Sequence, residues 1–172
     1  MRSSATAEAL PTASFAGQQA TFLNVHGEKG LMEAVKKCWA SLFEPRAIYY
    51  RTVNKFDHMK VGLAIPIQIM VESDVAGVMF TIDPVTNDKG KIVIEAIYGL
   101  GELIVQGTVT PDHYEVDKKN NEIIVKQVEI QEKKMVRKGD ENIMMPLSKQ
   151  EGGRQKITDK EIATNVQSAW EK

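Results

Sequence analysis

Very little in this sequence points to the extracellular space, a membrane or a nucleic acid. One cysteine, Cys38, stands alone, so no internal disulfide can form and the chain suits a reducing compartment. No apolar run approaches the roughly 20 residues that cross a bilayer. Ser, Thr and Ala crowd the first positions, where a secretory signal would be apolar, so a soluble cytoplasmic protein with no membrane partner is expected. Lys and Arg number 22 against 23 Asp and Glu, and a net charge of −1 lacks the basic surplus that draws a protein to nucleic acid. Tyr49, Tyr50, Arg51 and His58 would suit base stacking, but that charge balance speaks against it. His26, His58 and His113 share no spacing that would hold a metal ion, and internal repeats are absent.

What is present suffices for one domain. The 172 residues are 42% apolar, enough to support a real core. From Leu31 to Phe43 the stripe Leu31, Val35, Cys38, Trp39 and Leu42 has helical spacing, which makes Cys38 a core residue rather than a nucleophile. Pro45 suits the first turn of a second helix, about Arg46 to Asn54, with Ile48, Tyr49 and Val53 as its apolar side. Strict alternation from Val61 to Val71 predicts a strand buried on one face; Pro66 removes a donor, so it lies at an edge or breaks its ladder there.

Two further strands, about Ala76–Ile82 and Lys91–Ile97, flank the turn-forming run from Asp83 to Gly90 and form an antiparallel hairpin. A second hairpin joins His113–Asp117 to Glu122–Ile130 through Lys118–Asn121. Residues 131–156 are charged and aperiodic and read as a mobile loop or linker. Thr158 with Glu161 makes a capping box that opens a last helix carrying Ile162, Val166 and Trp170. The fold class is α+β, an antiparallel sheet with helices packed on it. The division expected is 1–130 for the main subdomain, 131–157 for the linker and 158–172 for a closing helix of the same domain.

The chemistry is concentrated at the start. Arg2, Ser3, Ser4 and Thr6, followed by the Gly17-Gln18-Gln19 turn, put a fixed cation, hydroxyl donors and bared backbone N–H groups within one short polar span. A polyphosphate wants that set: a guanidinium takes phosphate oxygens two at a time, and a glycine lets backbone approach. Gln68 and Met70 sit two apart on the alternating strand, so their backbone polar groups face one edge, where adenine can find a donor and an acceptor side by side. Each residue also has a plain structural reading: a surface arginine, loop-capping hydroxyls, a turn glycine, a β-branched Thr21, an exposed Gln68 and a core Met70. Glu102 and Gln106, after the glycines of Tyr98-Gly99-Leu100-Gly101, are weaker candidates, and Asp83 and Asp112 beside prolines read as turn residues.

The wording of these segments closely resembles the ATP-binding region of phosphoenolpyruvate synthases, the pyruvate, water dikinases. The resemblance runs through Arg2-Ser3-Ser4-Ala5-Thr6, Ala13-Ser14-Phe15-Ala16-Gly17-Gln18-Gln19, Cys38-Trp39-Ala40-Ser41-Leu42-Phe43, Gly77-Val78-Met79-Phe80-Thr81 and Tyr98-Gly99-Leu100-Gly101-Glu102, in order, to about residue 117. It implies an ATP-grasp-like fold in which two α+β lobes sandwich the nucleotide, with this chain supplying most of one lobe. By that likeness Arg2 contacts the phosphates, Gly17 and Thr21 touch nucleotide, and the strand at Gln68–Met70 reads adenine. ATP is the implied ligand, with Mg²⁺ on an acidic pair that this chain does not carry, so no metal ligand is assigned. Ala9, Ala20 and Pro66 depart from the family's usual residues, which puts loop geometry in question.

The resemblance further implies an enzyme that passes phosphate from ATP through a phosphohistidine to pyruvate, giving phosphoenolpyruvate, AMP and phosphate. The lysine-bearing lobe, the histidine domain and the pyruvate-binding barrel are not matched here, so a fragment that is inactive alone is expected, its full-length enzyme a homodimer. The alternatives are the ATP-binding part of a sister enzyme, such as pyruvate phosphate dikinase or an antibiotic phosphotransferase, and a non-catalytic truncated module.

Overall fold

The computed structural model describes residues 1–5, 9–10, 13–14 and 20–170. They divide into two compact units, Met1–Val71 and Glu72–Lys172. Each is built of short strands and helices, as an α+β chain should be.

In the first unit, β1 (Ser4–Ala5) pairs antiparallel with β4 (Leu63–Ala64), while β2 (Ala9–Leu10) pairs with β3 (Ala13–Ser14). Helix α1 runs Gly27–Ala40, a 3-10 turn follows at Ser41–Phe43, and α2 runs Pro45–Val53. Pro45 opens α2 as expected, because its missing N–H would be unpaired at that position anyway. The expected apolar side of α2 is wrong. Ile48, Tyr49 and Val53 face solvent, and the buried residues are Ala47 and Arg51. Arg51 occupies the inner side with two of its three guanidinium nitrogens paired, while the third, Nη1, is buried without a hydrogen-bond partner among the described residues. Its Nε donates to His58 Nδ1 at 2.9 Å, one terminal nitrogen donates to the Leu42 carbonyl, and the guanidinium lies 5.7 Å from the Phe43 ring centroid. On α1, Cys38 is buried as expected, but Trp39 is half-exposed.

The long strand expected at 61–71 is reduced to Leu63–Ala64. The chain from 65 to 71 holds no ladder, and Ile67, Ile69 and Val71 are exposed. Pro66 accounts for the break: it has no N–H to continue the pairing, and its carbonyl is taken by the Arg2 N–H at 3.1 Å.

The second unit holds a four-stranded antiparallel sheet, β5 (Val75–Phe80), β6 (Lys91–Tyr98), β7 (Asp112–Asp117) and β8 (Ile123–Gln127), in that spatial order. The two expected hairpins are therefore present. Asp117 closes the second: its carboxylate accepts from Lys119 N at 2.7 Å, and Asn121 takes the left-handed φ of 58°. Short α3 (Glu102–Val105) follows β6. Ile92, Ile94 and Ala96 of β6 and Tyr114 and Val116 of β7 form the core with Ile162 and Val166 of α5 (Asp159–Trp170). The Thr158 cap is in place, with Thr158 N donating to Glu161 at 2.7 Å and Glu161 N to Thr158 Oγ1 at 3.3 Å. The side chain of Trp170 lies outside the described residues.

Residues 131–156 are not a loop. They form a hairpin of β9 (Lys133–Lys138) and β10 (Glu141–Pro146), turning at Gly139, and then α4 (Lys149–Gly152) under a Ser148–Glu151 capping box. The segment escapes a periodicity reading because what fastens it is polar. The buried Gln131 side chain pairs with the backbone of Tyr98 in both directions, at 2.8 Å and 2.9 Å. Gly99, at φ +85°, brings β6 so close to β9 that a Cβ there would lie 2.3 Å from the Met135 carbonyl. Lys156 is wholly buried against Asp112, 2.8 Å from its carboxylate. Asp112 is thus the acidic half of a buried ion pair and not a turn residue.

Candidate functional site

The β1–β4 register decides which chemical groups meet. Ser4 lies opposite Ala64 and Ala5 opposite Leu63, and the pairing reaches Arg2 through its N–H bond to Pro66. One step beyond Pro66 on the same side of the backbone comes Gln68. Arg2, Ser3, Ser4, Pro66 and Gln68 consequently line one cleft of about 210 Å³. Arg2, Ser4 and Gln68 are exposed there and Ser3 is half-buried. A solvated guanidinium keeps its charge and its five donors, and two hydroxyls and an amide stand beside it. The arrangement offers donors to oxyanions, and its size suits a phosphate group better than a whole nucleotide, for which clefts of about 300 Å³ upward are usual.

The other expected residues fare differently. Thr21 is exposed and adjoins Phe22, whose N–H and carbonyl both bond Met1, at 3.0 Å and 2.7 Å, so it lies one strand away from Arg2. Met70 is half-buried and does not line the cleft. Thr6 and Gly17 lie outside the described residues. Glu102 and Gln106 bond each other at 3.0 Å, and Asn142 reaches the second Glu102 oxygen at 3.4 Å, which makes them braces of the second unit.

Two larger hollows carry no arginine beside hydroxyls. One of about 480 Å³ lies in the second unit between β5 and α5, floored by Gly77, Ile94 and Ala96, and no lysine or arginine lines it. One of about 370 Å³ lies beside α1, where Lys37, His26 and Asn24 stand with the carboxylate of Glu33 and no hydroxyl residue. Among the described residues no three His, Cys, Asp or Glu stand close enough to hold a metal ion. His113 sits between Glu115 and Glu95, at 3.4 Å and 3.8 Å, but Glu115 already bonds Lys91 at 2.8 Å. Lys91 first, then His113, holds the Glu115 carboxyl below its usual range, and the same bond raises Lys91. Burial pushes the Cys38 thiol up, away from nucleophilic use.

Sequence reasoning missed the residues that hold the cleft's strands in place. The buried Ser41 hydroxyl accepts from Ala20 N at 3.3 Å and donates to the Cys38 carbonyl at 2.7 Å. Trp39 Nε1 donates to the Leu63 carbonyl at 3.3 Å. Neither contact leaves a mark in hydrophobic spacing.

The fold and cleft define an α+β chain in which one cation and two hydroxyls line a small cleft beside the first strand. The chain belongs to the pyruvate phosphate dikinase AMP/ATP-binding domain family, whose model matches residues 1–170. It is similar to the probable phosphoenolpyruvate synthase of Archaeoglobus fulgidus, 51% identical over 164 residues, covering 94% of this chain and 21% of that protein. It is also similar to the phosphoenolpyruvate synthase of Aquifex aeolicus, 48% identical over 171 residues (94% of this chain, 20% of that protein), and to that of Pyrococcus furiosus, 56% over 118 residues (69% and 14%). The chain thus spans about a fifth of the length of the first two relatives. No described helix is long and apolar enough to cross a membrane.

Proposed function

We propose that this chain supplies the phosphate-holding margin of the ATP site of a phosphoenolpyruvate synthase-like dikinase. The observation that carries the reading is the cleft in which Arg2, Ser3 and Ser4 meet Gln68. Arg2 holds phosphate oxygens, which its planar fork fits two at a time, and Ser3 and Ser4 donate to the oxygens that remain. The backbone edge from Gln68 to Met70 faces adenine; its exposure and its lack of a ladder beyond Ala64 support that role. Thr21, Thr6 and Gly17 complete the nucleotide contact, on the strength of the family's pattern alone.

In the whole enzyme, phosphate taken from ATP passes through a histidine outside this chain to pyruvate, in a cytoplasmic homodimer. Mg²⁺ would neutralise phosphate charge when bound, and by the family's pattern its ligands are an acidic pair outside this chain. Half of a two-lobed cleft binds weakly, so the isolated chain is expected to hold ATP without turning it over.

Calorimetric titration of the chain with ATP and Mg²⁺ tests this. A dissociation constant between about 0.1 and 1 mM is expected, weakening roughly tenfold in Arg2→Ala for the loss of a charge-assisted bond. No heat at several times that concentration, or an Arg2→Ala variant that binds as well as the unaltered chain, would overturn the assignment.

A further inference from the structure

We propose that the turn Cys38–Ser41, at the end of α1, is a positioning device for the phosphate-facing strand, gripping the backbone on both sides of it. The inference rests on the reading of Arg2 just given, and goes on to say what sets Arg2 in place. Three short segments lie side by side in the first unit: Ala20–Phe22, the strand Met1–Ala5 and the strand Leu63–Pro66. Phe22 bonds Met1 in both directions, and β1 pairs with β4 over two residues and again at Arg2–Pro66. Ladders this short do not hold their own geometry, since even a complete two-stranded hairpin is marginal in water.

The rigidity comes from the helix end. On one flank, Ser41 Oγ accepts from Ala20 N at 3.3 Å and donates to the Cys38 carbonyl at 2.7 Å, while Cys38 Sγ lies 3.7 Å from the Ala20 carbonyl. Both backbone polar groups of Ala20 are therefore taken by one helical turn. On the other flank, the same turn sends Trp39 Nε1 to the Leu63 carbonyl at 3.3 Å. Trp39 is half-exposed, so packing alone does not account for it; what it contributes is its only donor, spent on the strand that faces Arg2. Three residues of this one turn, Cys38, Trp39 and Ser41, thus fix the two outer segments, and the Arg2 strand between them inherits its position. Displacement of a charged contact by a fraction of an ångström weakens its bonds, so the grip acts on affinity through Arg2 rather than by touching the ligand.

Trp39→Phe keeps an aromatic ring at this half-exposed position and removes the indole N–H; Ser41→Ala removes the hydroxyl on the other flank. For Trp39→Phe the ATP dissociation constant is expected to rise about three- to five-fold, the worth of one neutral, partly solvated hydrogen bond, with the melting temperature nearly unchanged. Amide exchange at Arg2, whose N–H reports the β1–β4 pairing, should accelerate in the same variant, while exchange at Ile94 and Tyr114 in the second unit stays as it was. In Ser41→Ala the Phe22 amide should accelerate instead. If the unaltered chain binds ATP and Trp39→Phe matches it in both affinity and Arg2 exchange, the grip is refuted and the nucleotide assignment stands. If the unaltered chain binds no ATP, both fall.

Discussion

Lys156 is the side chain whose removal should cost the second unit most. Both partners of its ion pair with Asp112 are fully buried, at a separation of 2.8 Å. The Asp112 carboxylate also accepts from Tyr114 Oη at 2.7 Å, Glu129 N at 3.0 Å and Lys156 N at 2.9 Å. Lys156 Nζ in turn donates to the Glu129 and Gly152 carbonyls and lies 5.6 Å from the Tyr98 ring centroid. Lys156→Met leaves the volume roughly filled but strands a buried negative charge and frees two carbonyls. Breaking such a pair from one side costs about 3–5 kcal/mol. Three donors stay on the carboxylate, which places the expectation near the lower limit, about 3 kcal/mol.

With a urea slope of about 1.5 kcal/mol/M for a unit of this size, the midpoint should fall by about 2 M. The measurement is urea unfolding followed by amide exchange in β6 and β7, which isolates the second unit from the first. Replacing both residues by apolar ones, Asp112→Leu with Lys156→Met, should recover part of the loss, because no charge is then left buried. A loss below about 1 kcal/mol in Lys156→Met would show that water reaches the pair and that its burial does not govern stability.

Other outcomes follow from the same kind of reasoning. Asp83 accepts from Val85 N at 2.8 Å and Thr86 N at 3.1 Å, and bonds from Thr86 first, then Val85, hold its carboxyl down to about 2. That contribution is complete above the ordinary aspartate value of about 3.9 and disappears as pH falls towards 2, so unfolding midpoints should drop across that window, less steeply in Asp83→Asn. Gly99→Ala should lower stability by about 2–4 kcal/mol, read as a fall of several degrees in melting temperature, since φ is +85° and the new Cβ would meet the Met135 carbonyl. A variant as stable as the parent would mean that β6 and β9 can separate. Thr158→Ala removes the cap of α5 and should cost about 1 kcal/mol by chemical denaturation, with an unchanged midpoint counting against the cap.

How far the sequence could be read depended on whether each element is held by apolar spacing or by individual polar contacts. The β5–β6 and β7–β8 hairpins were legible because alternation and turn formers report them directly. So were Pro45 at the start of α2 and the Thr158–Glu161 box. The strand expected at 61–71 shrank because one proline outweighed an unbroken alternation. The inner side of α2 was misread because Arg51, held through Nε and one terminal nitrogen, is as buried as any leucine. The β9–β10 hairpin was invisible for a related reason: its anchors, Gln131 and Lys156, look like surface residues in a string of letters. In the candidate site, Arg2 and Gln68 were each singled out by residue type, but only the structure brings them to one cleft, and Met70 does not line it. The Cys38–Ser41 grip depends on backbone groups of residues distant in the chain, and no local pattern encodes that.

Gln131 sets a limit on how the second unit can vary in length. Its side-chain amide mimics a strand partner of Tyr98, its own N–H bonds the Gly152 carbonyl at 3.1 Å, and a Cβ on Gly152 would come within 1.9 Å of its carbonyl oxygen. A residue gained or lost between Val128 and Lys133 would slide that amide off Tyr98 and unfasten the β9–β10 hairpin at its root. At the other bend Lys118 is tied to the Gly90 and Thr81 carbonyls, whereas Lys119, Asn120 and Asn121 bond their near neighbours Asp117 and Glu122, so tolerated insertions and deletions should gather at 119–121 and spare the neighbourhood of Gln131.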